Sequence, residues 1–143
     1  MLSISCKTGI KAVIYLSGKS EVGKKAGVNE IAEQINASAH TVGKILQLLA
    51  RKKIVNSVKG PSGGFYLSEA QQEQSMIKIV EAIEGDGIFK GCGLGLSKCS
   101  ASRPCPIHDE YKIARELMEK IFRERKVRGL CHSVSQGLAY LRG

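Results

Sequence analysis

Cys92, Cys99, Cys105 and His108 fall in one short stretch with the spacing C-x6-C-x5-C-x2-H. Thiolates and an imidazole are soft ligands, suited to zinc, copper(I) or an iron–sulfur cluster rather than to hard cations. The residues around and between them, Gly91, Gly93, Gly95, Ser97, Ser100, Ser102 and Pro104, are small or turn-forming. They can wrap a compact object but cannot build an apolar core. The four side chains also fit tetrahedral zinc, although the closely spaced cysteine pair of a zinc knuckle is missing. A metal-free disulfide switch is a third use of the same thiols. Cys131, between Leu130 and Val134 on a helical pattern, reads instead as a buried structural thiol.

The rest of the chain must position that loop. Its 143 residues, 43% of them hydrophobic, predict one globular domain with a real core. No apolar run approaches a membrane span, and the N-terminus, with Lys7 and Lys11 around short apolar patches, makes a poor signal peptide. A cytoplasmic protein is expected, and there five cysteines point to metal or redox chemistry more than to disulfides. No Ser/His/Asp set, paired carboxylates or nucleotide loop stands out, so an enzyme is not expected. The net charge of +9 is uneven: residues 1–67 carry ten Lys/Arg against three Glu. A basic N-terminal half suits nucleic acid.

Apolar periodicity predicts a first helix from about Lys7 to Ser17 and a second from about Val28 to Gln34. Asn36-Ala37-Ser38 breaks the pattern, and Ser38 is a good cap for a third helix that turns Val42, Ile45, Leu46 and Leu49 inward and ends near Lys52–Lys53. Two helices so joined form a helix-turn-helix, whose second member enters the DNA major groove. Ile54 to Lys59 alternates like a strand, and Phe65 to Leu67 reads as its return around Gly60-Pro61-Ser62-Gly63-Gly64. This is a wing. It is not a nucleotide loop, since no Lys-Ser/Thr pair and no helix follow. Ser38, His40, Thr41 and Lys44 are then placed to face base edges, Arg51 to Lys53 to meet phosphates, and Lys59 with the Gly60–Gly64 tip to lie at the minor groove.

Beyond the wing, Met76, Ile79, Val80 and Ile83 predict a helix stopped by Gly85-Asp86-Gly87. The cysteine loop runs from about Phe89 to Pro106, and Ile107 opens a long helix with no Gly or Pro before Gly129. Its stripe (Ile107, Tyr111, Ala114, Leu117, Met118, Ile121, Phe122), with seven-residue echoes at Ile107, Ala114 and Ile121, predicts a dimerisation element. Val127, Leu130, Val134, Leu138 and Leu141 predict a closing helical segment. The fold class expected is mainly α with a small β wing: a winged helix-turn-helix plus a long dimerisation helix. Its parts are residues 1–68 (DNA-binding), 69–88 (connecting helix), 89–106 (ligand loop) and 107–143 (dimerisation and closing helices), within one compact domain.

The chain resembles the Rrf2-type bacterial transcription regulators, above all their iron–sulfur and nitric-oxide-sensing branches. The resemblance rests on Lys11-Ala12-Val13, Glu30-Ile31-Ala32-Glu33, the wing from Val55 to Leu67, the run Ile79 to Gly85 and the three-cysteine loop. It implies a homodimer on pseudo-palindromic double-stranded promoter DNA, with a cluster, [2Fe–2S] before [4Fe–4S], whose state tunes DNA affinity. In the iron–sulfur branch a histidine two residues past the last cysteine completes the ligand set, and His108 matches it. In the nitric-oxide branch an aspartate near the start of the first helix comes from the partner subunit. Here that region reads Cys6-Lys7-Thr8-Gly9, which makes Cys6 the alternative fourth ligand. Gly43 stands where the family usually has a larger side chain and removes one potential base-reading group. Two other readings use the same residues: a winged-helix regulator with zinc or partner control, and a cluster carrier or electron-transfer protein.

Overall fold

Ser3 starts the first helix: its hydroxyl accepts from the Cys6 N–H, and α1 runs Ile4–Glu21. The computed structural model describes residues 2–143, so Met1 lies outside the described residues. α1 is longer at both ends than the expected Lys7–Ser17. It is the central helix, touching α2, α3, α5, α8 and the wing, and it buries Cys6, Ile10, Val13, Leu16 and Ser17 on several sides. A helix covered on several sides shows only weak amphipathic periodicity, which is why its ends escape a pattern search.

α2 (Val28–Gln34) and α3 (Ala39–Arg51) follow, joined by a turn in which Asn36 takes the left-handed conformation (φ 55°). Ser38 caps α3 through the Thr41 N–H at 3.4 Å. The wing pairs β1 (Asn56–Val58) antiparallel to β2 (Gly64–Tyr66), with Ser57 opposite Phe65. β1 starts later than Ile54 because the Ile54 N–H is engaged with the Leu49 carbonyl at 2.9 Å, closing the end of α3. Ala26 adds a bridge on the other side of β2, exchanging hydrogen bonds of 3.1 and 2.8 Å with Phe65. Under the hairpin sits α4 (Glu69–Gln72), a short helix with a full capping box of Ser68 and Gln71. The Gln71 amide also donates to the Lys53 carbonyl and to Asn56 Oδ1, both at 3.0 Å, and so fixes the wing to the end of α3.

α5 (Met76–Glu84) stops at Gly85 (φ 75°), and a one-turn helix, α6 (Gly87–Lys90), follows. Phe89, expected at the mouth of the loop, is instead buried in α6 with its ring 5.5 Å from that of Phe122. The ligand loop therefore begins at Gly91. α7 spans His108–Glu124 and α8 Val127–Ser135. No Gly or Pro separates them. The break is tertiary: Met76 N–H donates to the Arg125 carbonyl at 2.8 Å and Val127 N–H to the Gln74 carbonyl at 3.0 Å, which holds Arg125–Lys126 extended. Leu138 lies beyond α8 and is exposed, whereas Leu141 packs on the core.

The fold is mainly helical with a small two-stranded sheet, as a winged helix-turn-helix requires. The largest fully buried side chains, among them Leu16, Ile31, Ile35, Leu46, Leu49 and Ile79, come from α1, α2, α3 and α5. α7 has two faces. His108, Arg115 and Phe122, seven residues apart, point inward, while Ile113, Leu117 and Ile121 are 69%, 58% and 47% exposed. The echo at Ile107, Ala114 and Ile121, read from the sequence as part of a dimerisation stripe, falls one residue before this buried repeat and is exposed. Among the described residues, no helix is long and apolar enough to cross a membrane.

Candidate functional site

Two sites emerge, both reached from the C-terminal end of α5, where Ile83 packs with Ile45 of α3 around Gly9 and Gly85 leads on through α6 to the cysteine loop. At the helix-turn-helix, α2 is fixed to α1 by Tyr15, whose hydroxyl donates to Glu30 Oε2 at 2.7 Å, with Lys19 Nζ 3.4 Å from the same oxygen. Burial, then Glu30, pushes the Tyr15 hydroxyl pKa up, so it remains a donor. Lys11 donates to the Ile35 carbonyl at 3.4 Å, a cation against the C-terminal end of α2. On this frame Ser38, His40 and Lys44 are exposed at the N-terminal half of α3, with Thr41 half-buried beside them. Arg51 is exposed at the end of α3, and Lys59, Gly60, Pro61 and Ser62 are exposed on the wing, with Gly63 and Gly64 half-buried. Between α3 and the hairpin lies a groove of about 560 Å³ lined by Gln47, Arg51, Ser57, Lys59 and Phe65. A Cβ at Gly43 would meet Val28 Cγ1 at 3.7 Å, an ordinary contact, so this position looks along α2 as well as outward.

Beyond α5 and α6 the ligand loop runs from Gly91 to Ile107. Its four donors lie near one another. Cys99 Sγ lies 3.4 Å from His108 Nδ1, and the Cys92 thiol faces that of Cys105. Backbone N–H groups of Leu94 and Leu96 hold the Cys92 pKa below its ordinary value, with further help from Cys105 and the Gly95 N–H. Cys105 is buried, and that burial pushes its pKa up. His108 is buried in the first turn of α7, its N–H on the Cys105 carbonyl at 3.0 Å. Among the described residues, no three His, Cys, Asp or Glu side chains converge as a single-ion site would need. The donors thus have the chemistry of a soft-metal site.

The other two cysteines are elsewhere. Cys6 is wholly buried at the head of α1, and burial together with the Glu84 carboxylate pushes its pKa up to about 12. A thiol so placed faces its own subunit's core, and the structure does not bring it to the loop. Cys131 is buried on α8 against α1, where a Cβ on Gly18 would lie 3.3 Å from its sulfur. Burial raises its pKa as well.

Residues 2–133 match the Rrf2 family, described as an iron-dependent transcriptional regulator. The chain belongs to the Rrf2 family. Among relatives of known name it is similar to the HTH-type transcriptional regulator NsrR of Oceanobacillus iheyensis, 22% identical over 130 residues, which are 90% of this chain and 88% of that one. Among solved structures it is similar in fold to CymR, the global cysteine regulator of B. subtilis, with TM-score 0.75 and 19% identity over 92% of this chain and 96% of that one. It is similar also to T. potens IscR, with TM-score 0.73 and 15% identity over 97% and 91% of the two chains. As an Rrf2 protein the chain is a transcriptional regulator and not an enzyme.

Sequence reading of this Rrf2 chain missed three features. Gln47 shares the exposed face of α3 with His40 and Lys44, a spacing of seven and three residues that was open to view. Lys24 and Lys25 line a second groove, of about 420 Å³, on the far side of the wing with Tyr66. Arg115 turns inward toward the ligand loop, which no periodicity of apolar residues announces.

Proposed function

We propose that this Rrf2 regulator binds promoter DNA as a homodimer, and that an iron–sulfur cluster held by Cys92, Cys99, Cys105 and His108 tunes its affinity for the operator. The observation that carries the reading is the gathering of three thiols and an imidazole in one loop, with Cys99 Sγ 3.4 Å from His108 Nδ1 and Cys105 beside both Cys92 and Cys99. A two-iron cluster takes four such protein ligands, and the loop lacks the closely spaced cysteine pair of a zinc knuckle. Backbone N–H groups aimed at the Cys92 sulfur favour the thiolate that ligation requires. Such a group, when bound, supplies one-electron chemistry and lability to oxidants.

The chain's own residues then divide the work. Ser38, His40, Thr41 and Lys44 meet base edges and flanking phosphates, and Arg51, Lys59 and the tip Gly60, Pro61, Ser62, Gly63 and Gly64 follow the sugar-phosphate backbone. Ile113, Leu117 and Ile121 form the apolar stripe on α7 that a second copy covers. α5 packs on both α1 and α3, and its C-terminal end leads into the ligand loop. Ordering the loop therefore biases how the two α3 helices are presented, by as much as the cluster's affinities for the two arrangements differ. Anaerobic gel-shift titrations of holo and apo protein on its own promoter test this, and equal affinities would sink it. Replacing Cys92, Cys99 or Cys105 by Ala should lower iron content; unchanged iron removes that residue as a ligand.

A second reading has its own observation. Cys92, held toward the thiolate by backbone N–H groups, faces Cys105, so that a peroxide oxidising Cys92 to the sulfenic acid would let Cys105 attack that sulfur and expel water as the disulfide forms. A solved relative by fold is described as a cysteine regulator. On that reading a Cys92–Cys105 disulfide switches DNA binding, and mass analysis of oxidised, metal-free protein would find that bond.

A further inference from the structure

Arg115 occupies the middle of the inner face of α7, between His108 and Phe122, and is only 9% exposed. A buried guanidinium is ordinarily matched by a carboxylate, because an isolated charge is poorly tolerated away from water. Its partners among the described residues are neutral. Nη1 donates to the Gly91 carbonyl at 2.6 Å and to the Lys90 carbonyl at 3.2 Å, and Nε is buried with no acceptor. Those carbonyls close α6, and Gly91 immediately precedes Cys92. A glycine fits there because a Cβ would come within 2.9 Å of the Gly87 carbonyl oxygen, so the entry to the loop is tightly folded. The bland role of Arg115 is to cap α6. A cap needs only a donor, and capping alone explains neither a full buried cation nor the orphaned N–H.

We propose that Arg115 is a positioning residue of the ligand loop: it fixes the Gly91 carbonyl at the entry to Cys92, and its buried charge offsets the anionic set of thiolates and cluster. This rests on the cluster reading above. A cation close to a cluster favours the more negative, reduced form, since net charge and hydrogen bonding set cluster potentials. Outer partners of metal ligands also govern retention of the metal.

The test compares anaerobically reconstituted wild type with Arg115→Gln, which keeps a donor and loses the charge, and with Arg115→Lys, which keeps the charge and loses the fork. Midpoint potentials are followed by visible absorption, with iron and sulfide counts and circular dichroism on each protein. Arg115→Gln should move to a more negative potential while Arg115→Lys stays near wild type. Both should lose iron to a chelator faster, by about tenfold, the low end for lost outer partners. A fully loaded Arg115→Gln with wild-type potential overturns the charge role and leaves the cluster reading standing. Wild type that takes up no iron or sulfide overturns the cluster reading itself, and the charge role with it. If Arg115→Gln does not fold, Arg115→Lys decides: iron release as slow as wild type overturns the positioning role.

Discussion

The wing tip and the ligand loop are both glycine-rich, yet they are held in opposite ways. In the wing, Gly63 N–H closes the turn on the Gly60 carbonyl at 2.9 Å, and a Cβ on Gly63 would lie 2.1 Å from the Val58 oxygen. Gly64 (φ 145°) lies so close to Ala26 that a Cβ would sit 2.9 Å from its oxygen. The hairpin itself demands these glycines, whatever DNA does. The ligand loop makes few bonds of its own, notably Gly95 N–H to the Cys92 carbonyl at 3.0 Å, and Leu94 and Leu96 stand more than half exposed. Its order comes from outside: Arg115 on Gly91, the Tyr111 ring where a Cβ on Gly93 would meet Cδ2 at 2.7 Å, and His108 on Cys99. One region is fixed by its own backbone, and the other takes its shape from α7.

The widest separation should appear in thiol chemistry. In metal-free protein at neutral pH, a limiting alkylating agent should label Cys92 first, since its pKa is lowered and its sulfur is partly accessible. Cys6 and Cys131, buried and raised in pKa, should react slower by about a thousandfold, the factor for a local opening that costs about 4 kcal/mol. Mass spectrometry of timed digests reads the order. Labelling of Cys6 at the rate of Cys92 would mean that the head of α1 is as open as the loop, and the contrast would collapse.

Phe122→Ala removes the outside support. Phe122 is buried against Phe89 at the base of the loop, so its truncation should cost about 3–4 kcal/mol in denaturant unfolding. The wing, held separately by Gln71 and Ala26, should keep its DNA contacts in the fraction still folded. A cost below about 1 kcal/mol would show that α6 and α7 do not hold the loop through this pair.

That dependence on distant partners also explains what the sequence could reveal. α2 and α3 were legible because Val28, Ile31 and Ile35, and then Val42, Ile45 and Leu49, repeat on one face behind a capping Ser38. The wing was legible because a Gly-Pro-Ser-Gly-Gly turn between two short alternating runs has few other uses. The donors of the ligand loop were visible by type and spacing, but not that Cys99 meets His108. The break between α7 and α8 was not legible, because carbonyl and N–H groups of Gln74 and Met76, some fifty residues away, create it. Nor was Arg115: a cation among apolar neighbours reads as a surface residue until the carbonyls it meets are known. Local rules reached what is locally determined.

Gly63→Ala attacks the self-supported region. The clash is with backbone, so no rotamer change relieves it, and the cost should be about 1–3 kcal/mol with operator affinity falling on the order of tenfold. Cys92 should alkylate at its wild-type rate in this variant. A change there would tie the two loops together more directly than their separate supports allow.

The smallest effect belongs to Glu84, at the end of α5, from which the ligand loop hangs. Ser3 donates to Glu84 Oε1 from its hydroxyl at 2.5 Å and from its N–H at 3.1 Å, tying the head of α1 to that helix end. The Ser3 hydroxyl bond is the main cause holding the Glu84 pKa below the ordinary carboxylate range. The unfolded chain therefore takes up its proton first as pH falls, at about 4.3. The tie contributes its stability above that pH and loses it as pH drops through the lower folded value. Because Glu84 is exposed, solvent screens the contribution to less than about 1 kcal/mol. Glu84→Gln should accordingly flatten the acid limb of a stability-against-pH curve slightly and leave neutral operator binding of the apo form nearly unchanged. A larger loss of apo binding would make the Ser3–Glu84 tie part of the path from the ligand loop to α3, since Ile83 beside it already packs with Ile45 around Gly9.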